Sequence, residues 1–258
     1  MNVKPETTSS IDAFTYRPEL IETGTVYRYI KSNIDGSYPA RIVIYVRDND
    51  HLEVLKFEAH GMDAAYVTAH IDWQTFSADR LHSWVLTPDG ARRSQASLSS
   101  SYADRTFTIT WQGRQDVVRV GHHPVHLYNF DFISLNYILR HWDHPEGEVK
   151  IGILQPNFDP DPETIMNYEG TVLVKFLGNE VRNDQACRKY SIGGEGLKGH
   201  MGVMWVHKET RIIEDVEIPL ADNPAWETFK FKWISSAHMD SQQWMQYMET
   251  ELQVLKSK

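Results

Sequence analysis

Apolar and polar residues alternate along most of the chain, and turn residues separate the alternating runs. Residues 66–76, for example, place Val67, Ala69, Ile71 and Trp73 on one side and polar residues on the other. This period of two is typical of a half-buried β-strand. Runs rich in Val, Ile, Tyr, Phe and Trp recur about every 10 to 12 residues, which predicts an antiparallel meander.

The runs fall into two groups that cover most of the chain. Residues 24–120 are predicted to form a first meander of about eight strands, and residues 148–234 a second one. The first strands are expected at 25–34, 40–47 and 52–60. The polar residues 1–20 show no period and are expected to be a loose arm or an edge cover.

Residues 131–142 interrupt the alternation with an apolar run at helical spacing, in which Leu135 and Leu139 share one face. A helix that is apolar nearly all round is buried in a protein core. Asp131 is expected to cap its first turn. Residues 240–258 carry a narrower apolar stripe and predict a C-terminal helix packed on the sheet.

These elements predict a mainly β, β-dominated α+β fold. We expect a highly curved antiparallel sheet, or half-barrel, around one buried helix, with the C-terminal helix outside it or across one end. The chain of 258 residues is within the size range of one domain, so residues 1–258 are predicted to form a single domain.

Composition and charge exclude several classes of protein. The net charge is -9, and no block of Lys and Arg could follow a phosphate backbone, so nucleic acid is not an expected partner. No apolar run approaches the ~20 residues of a transmembrane helix. A single cysteine, Cys187, excludes an internal disulfide and is expected to be a buried structural residue.

The first ten residues lack the apolar stretch of a signal peptide. The chain as it stands is therefore expected to be cytoplasmic, and periplasmic if an export signal has been removed from it. The sequence is compatible with a homo-oligomer.

Residues 194–199 match the dinucleotide-binding pattern G-x-G-x-x-G. That pattern works only where it opens a helix inside a βαβ unit. Residues 200–208 have the pattern of a strand, so we interpret the glycines as part of a hairpin loop. No cofactor is expected.

The densest group of metal-ligand side chains is His122, His123 and His126. In an extended strand His122 and His126 would stand about 13 Å apart at ~3.3 Å per residue, too far to share one ion. We therefore expect no metal site. These three histidines are the weak candidates for ligands if one is present.

Tryptophans are frequent in the predicted strands, where core packing competes with a role in lining a ligand cavity. A sheet of about twelve curved strands is too wide to be filled by its own side chains, which favours a cavity. The aromatic residues expected to line it are Trp73, Trp84, Trp111, Tyr137, Trp205 and Trp233.

Three segments carry a resemblance to a known family. They are the helix DFISLNYILR at 131–140, the strand CRKY at 187–190, and MWVHK at 204–208 after a Gly-rich turn. Over about residues 125 to 235 the chain resembles a bacterial family of domains of unknown function, mostly periplasmic, that is similar to lipoprotein-carrier and lipid-binding half-barrels. The resemblance implies a curved sheet over an apolar cavity and a hydrophobic ligand, and it transfers no catalytic residue.

The leading hypothesis is the binding of a small hydrophobic or amphipathic molecule between the concave sheet and the central helix. The alternative is an enzyme, a lyase, isomerase or hydrolase, that uses His122, His126, Asp131 and His141 as acid and base groups. Whether the chain is an enzyme is left open, with the non-catalytic interpretation preferred. A structural or interaction module is the third hypothesis.

Overall fold

The computed structural model describes residues 10–57, 64–87, 89–159 and 162–256, and in these ranges it contains one sheet of 15 strands. The first eight strands follow one another along the chain. They are β1 (Thr25–Ser32), β2 (Ala40–Val46), β3 (His51–Phe57), β4 (Ala64–Asp72), β5 (Ser77–Leu86), β6 (Arg92–Ser101), β7 (Thr106–Trp111) and β8 (Arg114–Arg119).

Seven further strands complete the sheet. They are β9 (Val125–Leu127), β10 (Glu148–Pro156), β11 (Met166–Arg182), β12 (Gln185–Gly193), β13 (Met201–His207), β14 (Ile213–Ile218) and β15 (Phe229–His238). The spatial order runs from β8 back to β1, continues at β15 and ends at β9, so the pairing of β1 with β15 joins the two meanders. All neighbours are antiparallel except β9 and β10. The predicted β-dominated antiparallel fold is thus confirmed.

The sheet is curved, and its two ends approach each other without closing. Arg114 on β8 donates hydrogen bonds to the carbonyl oxygens of Pro162 and Glu163, just before β11. The Ile165 amide donates to the Asp116 carboxylate over 2.6 Å. These side-chain links hold the ends together, while β8 and β9 remain the edges of the sheet.

Alternation along the strands gives the sheet two different faces. On β2, Ile42 and Ile44 belong to the main core, whereas Val43 and Tyr45 belong to a second cluster on the opposite face. We call the Ile42 side the inner face and the Tyr45 side the outer face. Both faces are therefore covered, as the near-continuous apolar run of β2 requires.

The outer face of the first meander is covered by helix α2 (Ser241–Lys256), whose first turn is capped by the Asp240 carboxylate. Trp244 stacks on Tyr45 at 4.9 Å between ring centroids, and its indole N–H donates to Glu53 over 2.6 Å. Glu53 also accepts from the Tyr66 hydroxyl at 2.8 Å and pairs with Arg47. One buried carboxylate thus fixes the helix against the sheet.

The inner face packs on a central segment between β9 and β10, which we define as residues 128–142. The helix predicted at 131–142 is interrupted there. Helix α1 spans only Ile133–Ile138, with 3-10 turns at Tyr128–Phe130 and Leu139–His141. Asp131 does not cap α1, because its carboxylate is engaged with lysine side chains on the sheet. All six residues of α1 are buried.

The predicted loose arm is wrong for its described part, residues 10–20, while residues 1–9 lie outside the described ranges. Phe14 is buried, stacks on Phe76 at 5.1 Å and forms a β-bridge with Trp142. Its aromatic ring is what fixes this stretch to the core.

The loop at 194–199 does not open a helix. A 3-10 turn at Glu195–Leu197 precedes β13, which pairs antiparallel with β12, so the loop joins a hairpin as interpreted from the sequence. Gly196 is needed for packing, because a Cβ there would lie 2.9 Å from Cγ1 of Ile153 on β10.

We expect Leu135→Ala to lower the free energy of unfolding by ~2 to 5 kcal/mol, since Leu135 is fully buried in α1 and its loss leaves a cavity. Urea denaturation measures this change. The matched control is Val181→Ala near the end of β11, where the side chain is 70% exposed and a change within ~0.5 kcal/mol is expected. Equal effects of the two substitutions would show that α1 is not enclosed.

Candidate functional site

A cavity of about 710 Å³ lies against the inner face of the first meander. Strands β2 to β7 form one wall. The opposite wall comes from Leu127 to Asp131, the end of β10 with residues 157–159, and Trp226 in the loop between β14 and β15. Its volume is within the range of small-molecule sites, about 300 to 1,000 Å³.

Strand register arranges the sheet wall in rows. One row joins Lys56, Ala65, Val85 and Arg93 across β3 to β6. All four side chains line the cavity, and the two ends of the row are charged. We call this row the rim; its ends are about 14 Å apart at ~4.8 Å per strand.

Deeper rows become apolar. The middle row contains Val67, Ser83, Ala96 and Trp111, and the innermost row contains Leu81, Leu98 and Ile109. The innermost row lies four residues along the strands from the rim, which corresponds to a depth of about 13 Å. The cavity is thus charged at one end and apolar at the other.

Two lysines and two aspartates form a buried ion cluster at the charged end. Lys31 Nζ lies 2.9 Å from Asp131 Oδ1 and 2.6 Å from Asp222 Oδ2. Lys56 Nζ pairs with Asp131 Oδ2 and donates to the Asn129 carbonyl oxygen over 3.2 Å. Strands β1 and β3 supply the lysines, and the central segment and the β14–β15 loop supply the acids.

The two lysines differ in their access to the cavity. The side chain of Lys31 is only 5% exposed, and its ammonium lies 4.0 Å from the centroid of the Trp226 ring in addition to its two carboxylates. The side chain of Lys56 is 19% exposed. Lys56 makes one hydrogen bond, to Asn129, and one ion pair, with Asp131, and its ammonium lies 5.2 Å from the centroid of the Phe130 ring. Because an ammonium has three donors, these two oxygen partners leave one N–H for another group.

Burial and charge shift the titration of the cluster. Burial opposes ionisation of Lys31, but Asp131 and Asp222 outweigh it and raise the pKa of Lys31. Burial likewise opposes ionisation of Asp131, but Lys31 and Lys56 together lower its pKa. For Asp222 burial is the larger effect, and it raises the pKa to about 6 against the influence of Lys31.

The backbone beside this cluster is strained. Asp131 and Phe132 have φ values of 55° and 53°, in the left-handed region that bulky residues rarely adopt. Such strain costs on the order of 1 to 3 kcal/mol per residue and persists only where surrounding contacts impose it. The two ion pairs of Asp131 and the full burial of Phe132 provide those contacts.

The structure separates the histidines proposed as acid and base groups. His122 Nε2 lies 3.2 Å from the Lys150 carbonyl oxygen, and His126 Nδ1 lies 2.8 Å from the Ser134 hydroxyl. His141 accepts the Arg17 amide at Nδ1 and packs against the ring of Trp73. His122, His126, Asp131 and His141 thus each have different partners, and only Asp131 lines the cavity.

The pair of His126 and Ser134 is the one histidine–hydroxyl contact below 3 Å among the buried described residues. Both side chains are fully buried, and burial lowers the pKa of His126 to about 3. The pair joins β9 to α1 and has no access to a ligand.

His123 has a different partner from His122 and His126, since its Nδ1 lies 3.4 Å from the Ser77 hydroxyl. Among the residues that the structure describes, no three His, Cys, Asp or Glu side chains are grouped so that they could hold a metal ion.

The predicted cavity aromatics are distributed over both faces. Trp111 lines the cavity. Trp84 packs in the outer cluster, and Trp205 lies between two inner-face residues of β13 and therefore points outward. Trp73 and Tyr137 pack against each other in the core, with ring centroids 5.7 Å apart.

Trp233 lines a second pocket of about 320 Å³ near the start of β1. Its walls are mostly polar or charged and include Arg140 and Glu214. Arg140 is held there by the Tyr27 hydroxyl at 2.6 Å and the Leu20 carbonyl oxygen at 3.1 Å. This pocket is separate from the cavity, since none of its lining residues is shared.

Cys187 on β12 is buried, and burial raises the pKa of its thiol to about 11. A thiol with so high a pKa is protonated at neutral pH and is a poor nucleophile.

Four residues of the site were not expected from the sequence, namely Lys31, Lys56, Asp222 and Trp226. For the two lysines the sequence does contain a signal, which is their position on the inward side of a strand. Lys31 continues the inward series of Tyr27 and Tyr29, and Lys56 continues that of Leu52 and Val54. A lysine at an inward position of a strand indicates a buried ion pair or a ligand contact.

Comparisons with known proteins find only distant structural similarity. No protein-family model matches the chain, and no curated protein does so. A Vibrio parahaemolyticus domain, named for outer membrane lipoprotein sorting, aligns over 89% of this chain and 91% of its own, with 9% identity and a TM-score of 0.33.

A Bacteroides fragilis protein, named as exported and as having a YmcC-like fold, aligns over 88% of this chain and 98% of its own, with 15% identity and a TM-score of 0.27. Neither similarity identifies a ligand. In the described ranges no helix has the length and apolar character needed to cross a membrane.

Asp222 should make stability depend on pH in a definite direction. Its pKa is raised from 3.8 to about 6 in the folded chain, so the folded state binds the proton more tightly than the unfolded state. The stabilisation is present at about pH 4 and is lost as the pH rises through about 6. Asp222→Asn cannot titrate and lacks this dependence.

We therefore expect the free energy of unfolding of the unmodified protein, relative to Asp222→Asn, to fall between about pH 4 and about pH 7 in urea denaturation. Asp35→Asn is the control, because hydrogen bonds from Ser37 lower the pKa of Asp35, which therefore titrates below this window. Parallel profiles for Asp222→Asn and the unmodified protein would contradict the assignment.

Proposed function

We propose that the protein binds a small amphipathic molecule in the cavity between the inner face of β2 to β7 and the central segment. The observation that carries the proposal is the polarity of the cavity, which has charged side chains at the rim and Leu81, Leu98 and Ile109 at its inner end. A molecule with an apolar chain and a polar head matches both ends.

The apolar end favours a ligand over bulk water. Aliphatic side chains and Trp111 form its walls, and they offer few hydrogen bonds to water molecules. Binding an apolar chain there removes apolar surface from water on both partners, which contributes about 25 cal/mol per Å². Ala96 and Ser83 are small, so the middle row leaves space for that chain.

The enzyme hypothesis receives less support. An acid and a base must lie within hydrogen-bond reach of one ligand atom, and the predicted groups His122, His126, Asp131 and His141 lie in separate contacts. Ligand binding without catalysis uses the cavity as it stands. The proposal applies in either predicted location, the cytoplasm or, if an export signal has been removed, the periplasm.

Binding should be saturable and should depend on the middle row. A neutral apolar fluorophore such as N-phenyl-1-naphthylamine is expected to bind the folded protein at a single site with enhanced emission, because the apolar walls shield the bound dye from water. Ala96→Trp should reduce its affinity at least tenfold, about 1.4 kcal/mol, since the indole would fill the space beside Trp111. Fluorescence titration measures both.

Ser99→Trp is the matched control. Ser99 lies on the same strand but is exposed on the outer face, so the same indole placed there should leave the affinity unchanged. Absence of saturable binding to the unmodified protein, or equal losses in the two variants, would contradict the proposal and favour a structural module.

A further inference from the structure

The chemistry of the rim limits what kind of head group the ligand can have. Cations that line the cavity are Lys31, Lys56 and Arg93, and the acids that line it are Asp131 and Asp159. Lys31 is enclosed by Asp131, Asp222 and the Trp226 ring, so it has no donor left for a ligand. Lys56 and Arg93 are the cations that a bound molecule can contact.

Lys56 is positioned for such a contact. Its ammonium is fixed by Asp131 and the Asn129 carbonyl oxygen and retains one N–H. Its side chain occupies the inward strand position that follows Leu52 and Val54, so the charge stands at the edge of the apolar wall. A charge at such a boundary interacts more strongly than one in open water, because the local dielectric constant is lower.

Arg93 strengthens the positive character of the rim. No ion pair of its guanidinium is recorded within the described ranges, whereas Asp131 already balances one lysine and Asp222 balances the other. Asp159, which is exposed on the facing wall, is the acid left to oppose Arg93. Three acids thus match three cations, but the side chains of Asp131 and Asp222 are fully buried while that of Lys56 is 19% exposed. The charged group that a ligand can reach at this end of the rim is therefore the Lys56 ammonium.

We propose that the ligand of this cavity is an anionic amphiphile, such as a fatty acid, whose acidic head group pairs with Lys56 at the rim while its chain extends toward Leu98 and Ile109. This inference rests on the proposed binding function and adds the charge of the ligand to it. The depth of about 13 Å from the rim to the innermost row suits a medium-length alkyl chain.

Three ligands with the same alkyl chain separate the charge from the chain. Decanoate, 1-decanol and decyltrimethylammonium are titrated as competitors against bound N-phenyl-1-naphthylamine at neutral pH. We expect decanoate to compete about tenfold better than decanol, the effect of one charged hydrogen bond, and the cation to compete worst. The advantage of decanoate should shrink as salt is added.

Lys56→Met tests the residue itself. It keeps the length and apolar body of the side chain and removes the charge, and Asp131 retains Lys31 as its partner. The ratio of the affinities for decanoate and decanol, measured in the same variant, should fall to about one. Lys56→Arg should restore most of the advantage.

Lys150→Met is the matched control. It removes the same charge from an exposed position on β10 that does not line the cavity, so the preference for decanoate should persist. If Lys56→Met does not fold, the competition series on the unmodified protein still decides the question.

The outcomes separate this inference from the proposed function. Equal competition by decanoate and decanol, or stronger competition by the cation, would overturn the anionic head group while leaving the cavity as a binding site. Failure of all three ligands and of the fluorophore would instead overturn the binding function itself.

Discussion

The carboxylate of Asp131 connects the central segment to the sheet, and much of the structure depends on it. Its two oxygens pair with lysines from β1 and β3, and Lys31 extends the connection to Asp222 in the loop between β14 and β15. Strands β1 and β15 are where the two meanders join. The ion cluster therefore fixes the central segment where the two meanders join. The same contacts hold Lys56 at the rim of the cavity.

A cluster of this kind is an expensive way to stabilise a fold. Removing two charges from water costs several kcal/mol per ion, and well-packed apolar residues often serve stability better. The two left-handed residues beside the cluster, Asp131 and Phe132, add further cost. Buried ion pairs can instead specify one arrangement among several apolar alternatives. Here the arrangement specified places residues 129–131 across the cavity from residues of β5 to β7.

Most strands of the sheet could be predicted because apolar and polar residues alternate along them. The expected strands at 25–34, 40–47 and 52–60 overlap β1 to β3, and the expected second meander at 148–234 contains β10 to β14 and most of β15. Strand β6 lacks this signal, since its residues RRSQASLSSS are mostly polar and show no apolar period. The central helix was predicted too long, because apolar spacing does not report that Asp131 is withdrawn from the helix by two lysines from distant strands.

The polar composition that makes β6 hard to predict from the sequence also contributes to the cavity. Its side chains toward the interior are small or polar, namely Ala96, Gln95 and Arg93, with Leu98 alone large and apolar. Helix α1 has six residues and is too short to cover the remaining inner face. Helix α2, which is long enough, is held on the outer face by Glu53 and Trp244. The cavity thus has three causes: the polar strand β6, the short helix α1 on the inner face, and the position of the long helix α2 on the outer face. The residues of β6 that lack an apolar period are the ones that leave the space unfilled.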